Sequence, residues 1–71
     1  MVFKTREQFV SAHGTRRYGL VEYILRMSNR GLDDLEIQAE LLKSRVVKSP
    51  QMLNLDWKYW NSVKDKVKWN T

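Results

Sequence analysis

Apolar residues recur along this chain at spacings of three and four, the period of one helix face, and no stretch alternates as a half-buried strand would. Four helical stretches follow. The first runs from Thr5 to Ala12. Thr5 is its N-cap, Glu7 and Gln8 fall in the first turn, and Phe9 and Val10 supply the apolar side. His13-Gly14 ends it, because glycine takes a positive φ without a Cβ clash. His13 reads as a residue at the negative end of the helix dipole. The second stretch runs from Thr15 to about Asn29, with Leu20, Val21, Ile24, Leu25 and Met27 as its stripe and Tyr18 and Tyr23 at its edges. Arg30-Gly31 closes it. Gly19 inside the pattern costs about 1 kcal/mol relative to alanine, which predicts a close crossing with a neighbouring element there.

The third stretch carries a full helix start. Asp33 is the N-cap, Glu36 completes a capping box, and Leu32 and Ile37 are spaced for a hydrophobic staple. Asp33, Asp34 and Glu36 sit at the positive end of the dipole, Lys43 and Arg45 at its negative end. Leu35, Ala39 and Leu42 form one apolar row, and Ile37 and Leu41 form another. Ser44 to Ser49 is a basic connector in which Val46 and Val47 can form a short extended piece. Pro50 keeps Ser49 out of helical dihedrals. The last helix starts at Ser49-Pro50 or, alternatively, at Asn54. Its seam is Leu53, Trp57, Trp60, Val63 and Val67, which predicts Trp57 and Trp60 in the core.

The fold class is therefore all-α: a small single-domain bundle of three to four helices over residues 1–71, with a helix-turn-helix-like segment. Residues 1–4 read as a disordered start and 69–71 as a frayed end. At 71 residues, a domain buries only about 60% of its unfolded-chain surface, so its stability is marginal.

Charge adds a partner class. The chain has 13 Lys+Arg against 8 Asp+Glu, a formal net charge of +5, which favours an acidic or polyanionic macromolecule. The basic residues form three groups: Arg16 and Arg17; Lys43, Arg45 and Lys48; and Lys64, Lys66 and Lys68. Tyr59 and Trp69 lie off the seam or at its end, and exposed aromatics beside lysines anchor protein partners. The candidate partner-binding residues are Arg16, Arg17, Lys43, Arg45, Lys48, Tyr59, Lys64, Lys68 and Trp69.

Chemistry has little to work with. There is no cysteine and one histidine, His13. No disulfide, thiolate or histidine metal cluster follows, and no nucleophile–base set. The acidic residues cluster at Asp33, Asp34, Glu36 and Glu40, and the capping box explains the cluster without chemistry. No phosphate loop or metal spacing occurs. The expectation is a non-enzyme without cofactor, metal or small-molecule substrate. The longest apolar run is three residues, against roughly 20 for a bilayer span, so no membrane role is expected.

Leu32 to Leu41 is similar to the opening helix of the bacterial helix-turn-helix. Aligned on Ile37, however, the usual small residue is Gln38 and the usual turn glycine is Leu42. With that segment, the chain length, the cysteine-free basic composition and the tail Trp57-Lys58-Tyr59-Trp60, the chain resembles the small RNA-polymerase-binding regulators and antiterminators of lytic Xanthomonas phages. The resemblance implies a protein of the host bacterial cytoplasm that binds host RNA polymerase, inhibits initiation at host promoters and prevents termination. It assigns no role to any single residue. Two alternatives stand beside it: a DNA-binding regulator using the third and fourth helices, and a phage structural or assembly module.

Overall fold

The computed structural model describes residues 1–69. Among them it has four α-helices: α1 (Arg6–His13), α2 (Thr15–Asn29), α3 (Asp34–Lys43) and α4 (Pro50–Val63), followed by a 3-10 turn at Lys64–Lys66. No strand is present among these residues, only an isolated parallel bridge between Phe3 and Val67. The chain is the all-α small bundle that its periodicity predicts.

Local chemistry fixes most of the helix boundaries. The Thr5 hydroxyl accepts from the Gln8 N–H at 3.2 Å, and Gln8 Oε1 accepts in return from the Thr5 N–H at 3.3 Å, closing a capping box. Asp33 and Glu36 close another, at 2.8 and 3.0 Å. Of the two possible starts for α4, the chain uses Ser49-Pro50. Ser49 is extended (φ −148°, ψ 157°) and its hydroxyl accepts from the Met52 N–H at 3.2 Å. Gly31 (φ 91°) ends α2 in a Schellman arrangement, with the Leu32 N–H donating to the Met27 carbonyl and the Gly31 N–H to that of Ser28. Gly14 (φ 93°) is the single residue between α1 and α2, and its positive φ allows the sharp change of direction.

The core is built from Phe9 of α1, Leu20, Val21 and Ile24 of α2, Ile37 and Leu41 of α3, Val47 of the connector, and Leu53, Trp60 and Val63 of α4. Trp57 is half-buried against it. Phe3 is also in the core, so the segment set apart as residues 1–4 is tied down at Phe3. The Phe3 N–H donates to the Lys66 carbonyl at 2.7 Å, and the Lys68 N–H to the Phe3 carbonyl at 2.8 Å. Burial of the Phe3 ring and these two backbone hydrogen bonds together oppose the entropy cost of ordering the segment.

The two rows of α3 take different faces, and three expectations give way. On α3, the row Ile37–Leu41 faces the core and Leu35 is 78% exposed, because α2 and α4 cover only one face. Val46 and Val47 make no strand; Val47 is buried and Val46 is not. Val67 lies beyond α4 in extended backbone, since the helix tightens to a 3-10 turn after Val63 and ends there. Gly19 sits at no crossing: a Cβ at that position would meet nothing within 4 Å.

Candidate interaction surface

One buried acidic residue organises the interior charge. Glu22 of α2 is only 8% exposed. Its carboxylate takes the Arg6 and Arg26 guanidinium groups at 3.6 and 3.7 Å and accepts from the Trp69 indole Nε1–H at 3.2 Å. Burying a carboxylate is costly unless it is paired and hydrogen-bonded; here it is both. The arrangement is structural, joining α1, α2 and the segment after α4.

Trp69 and Tyr59 are consequently not free anchors. Trp69, read from the sequence as part of a frayed end, packs edge-on against Phe9 with ring centroids 5.3 Å apart. Asn70 and Thr71, the rest of that end, lie outside the described residues. Tyr59 meets the His13 ring at 5.7 Å, and His13 in turn stacks on Phe9 at 4.7 Å. His13 thus closes α1 as an aromatic wedge as well as a terminal residue. The Arg17 guanidinium lies 4.5 Å over the Tyr59 ring, a cation–π contact. It covers the ring face, and the buried Tyr59 hydroxyl makes no hydrogen bond to a described residue. Burial raises the Tyr59 phenol above its ordinary value, and the Arg17 charge opposes part of that rise.

The remaining basic candidates fall in separate places. Arg16 and Arg17 stand in the first turn of α2, which has no acidic residue and no side-chain cap. They border a groove of about 510 Å³ between α2 and the connector–α4 edge, with Leu20, Val46 and Met52 as its apolar lining and Asp56 at its side. Gly19 opens onto the same groove. Arg45 and Lys48 of the connector border a second hollow with Leu42, about 590 Å³. Lys43, Lys64 and Lys68 are exposed and border neither hollow. The structure brings Arg17 together with Tyr59 and Arg45 with Lys48, and leaves the basic residues otherwise dispersed.

Arg45 has a strained backbone. It follows the α3 C-cap Ser44 and has a φ of 61°, the only positive value among the described non-glycine residues. The left-handed region costs an L-residue with a Cβ about 1–2 kcal/mol. The Val47 N–H donation to the Leu41 carbonyl at 3.1 Å and the burial of Val47 hold the turn in place.

Two surfaces were not singled out by the sequence. The first is the row of α3 that begins with the exposed Leu35 and Ala39 and ends at the half-buried Leu42, beside the Arg45–Lys48 hollow. The signal was the surplus apolar row, one more than a single buried face requires. The second is the outer face of α4, where Gln51, Asn54, Leu55 and Lys58 are all exposed at helical spacing and Leu55 is 67% exposed.

No group of three or more His, Asp or Glu side chains that could hold a metal ion occurs among the described residues. No helix among them is long and apolar enough to cross a membrane. No protein-family model matches the chain, and neither a curated protein nor a solved structure was found to match it.

Proposed function

We propose that this chain is a non-enzymatic docking protein of the phage transcription-regulator type, which binds a bacterial RNA polymerase to inhibit host initiation, prevent termination, or both. The docking half of this reading is supported by one observation: α3 leaves Leu35 and Ala39 exposed on its outer face, and the row they begin ends at the half-buried Leu42, which borders the hollow of the cationic pair Arg45 and Lys48. An apolar strip with a charged rim is the usual anatomy of a protein interface. The polymerase half is supported by the resemblance in length, composition and the Leu32–Leu41 and Trp57–Trp60 segments.

The test is capture of purified bacterial core RNA polymerase by the tagged full chain, compared with Leu35→Glu. Leu35 makes little contact with the fold, so the variant keeps its circular dichroism and denaturation midpoint. The expected result is retention of polymerase by the native chain and loss by Leu35→Glu. Absence of polymerase capture, with tight binding of duplex that weakens steeply as salt rises, would overturn the reading.

A second reading has its own support in α4. Gln51, Asn54 and Lys58 are exposed on one face of the helix that follows the basic connector. Asn and Gln are the side chains that pair bidentately with adenine in the major groove, and Arg45 and Lys48 would meet phosphates. The connector spans residues 44–49, longer than the turn of a helix-turn-helix. On this reading Asn54→Ala and Gln51→Ala abolish duplex binding; on the polymerase reading they leave capture unchanged.

A further inference from the structure

We propose that the groove between α2 and the connector–α4 edge receives an acidic segment of a partner protein, with an apolar side chain on its floor and a carboxylate on its arginine rim. The proposal rests on the reading of the chain as a protein-docking module and names the chemistry of what docks. At about 510 Å³, the groove falls within the range of sites that enclose ligand groups, about 300–1,000 Å³. Its floor is apolar and only partly covered by the fold. Leu20 is buried, Met52 half-buried, and Val46 is 42% exposed. An exposed Val beside an adaptable Met is apolar surface that an incoming side chain would take out of water.

Gly19 has no steric role within the fold. It is exposed in the interior of α2, and nothing lies within 4 Å of where its Cβ would be. The helix carries the propensity cost of a glycine without a crossing to justify it. What the missing side chain leaves is an open wall, which allows another chain to approach the helix closely.

The charges select the occupant. Arg16 has no ion pair among the described residues, while Arg17 is held in place by its stacking over Tyr59. A partner carboxylate on these two groups gains charge-assisted hydrogen bonds at one already ordered guanidinium. Asp56 borders the same groove and is half-buried. It suits a backbone N–H of the docked segment and repels a second acid, so it orients the segment with its acidic end toward Arg16. A nucleic acid fits less well: Asp56 repels phosphate, and the apolar floor would face a charged backbone. A basic segment would face two arginines.

The test uses the full chain, isotope-labelled for NMR, and a fluorescein-labelled synthetic acidic peptide carrying Leu and Phe among Glu and Asp. The expected shifts fall on Gly19, Leu20, Val46 and Met52. Gly19→Ala should retain binding. Gly19→Phe, which fills the groove from an exposed helical position, and Arg16→Glu should each weaken it by roughly tenfold or more. The proposal is overturned if the peptide with Ser in place of Leu and Phe binds equally well, if Gly19→Phe and Arg16→Glu bind like the native chain, or if the shifts fall on the Leu42–Lys48 hollow instead. Polymerase capture separates the two readings. Polymerase held equally by the native chain and Gly19→Phe, with no peptide in the groove, overturns the groove and leaves the proposed function standing. A peptide blocked by Gly19→Phe in a chain that captures no polymerase supports the groove and removes the proposed function.

Discussion

The Trp69 indole Nε1–H donates to the Glu22 carboxylate at 3.2 Å across 47 positions of sequence. With Arg6 and Arg26 on the same carboxylate, this bond ties the segment after α4 onto α2. Trp69→Phe keeps a ring against Phe9 and removes the donor. The expected loss is about 1.5–2 kcal/mol, the lower part of the range for a hydrogen bond to a charged group. Paired with Glu22→Gln in a urea-denaturation double-mutant cycle, the two changes should be non-additive. Strict additivity would separate Trp69 from the Glu22 network.

Asp33 caps α3 through the Glu36 N–H at 2.8 Å. Asp33→Ala should lower stability by about 0.5–2 kcal/mol, read as a lower denaturant midpoint at an unchanged slope. An unshifted midpoint would mean that packing alone sets the start of α3.

Arg45 at φ 61° predicts opposite outcomes for two substitutions. Asn tolerates the left-handed region, so Arg45→Asn should raise stability by about 0.5–1 kcal/mol. A β-branched residue tolerates it poorly, so Arg45→Val should lower stability. If both variants melt together, the turn has relaxed and the strain is absent.

Tyr59 sets an alkaline limit. Its phenol is raised above 10.0, first by burial, with Arg17 opposing. In the unfolded chain the phenol ionises near 10, whereas the folded chain keeps it protonated to higher pH. The stability from this difference is fully present below pH 10 and is lost as pH climbs from there through the folded value. Denaturation midpoints measured across that window should fall more steeply for the native chain than for Tyr59→Phe. The same variant should cost little at neutral pH, because the buried hydroxyl has no hydrogen-bond partner to lose among the described residues.

Gly19→Ala should stabilise the protein by about 0.5–1 kcal/mol, since it gains helix propensity and loses unfolded-state entropy at a position where a Cβ meets nothing. A destabilised Gly19→Ala would show that a neighbour approaches this wall after all.

Much of the fold was legible in the sequence because helix starts are written in a few adjacent residues. Thr5, Asp33 and Ser49-Pro50 satisfy orphan backbone groups within one turn, so no distant contact is needed to place them. The all-α class follows from the same local period. Three things required the tertiary structure. Which of two apolar rows of α3 faces inward depends on where α2 and α4 lie, and that choice turns Leu35 into surface. Whether Phe3 and Trp69 are loose or buried depends on two distant segments meeting, and they meet through Val67 and Glu22. The groove at Gly19 exists only because α2 and the connector–α4 edge leave a space between them. Composition determined that the surface is basic. Packing decided where its arginines stand, because a side chain's neighbours are set by long-range contacts that local spacing does not encode.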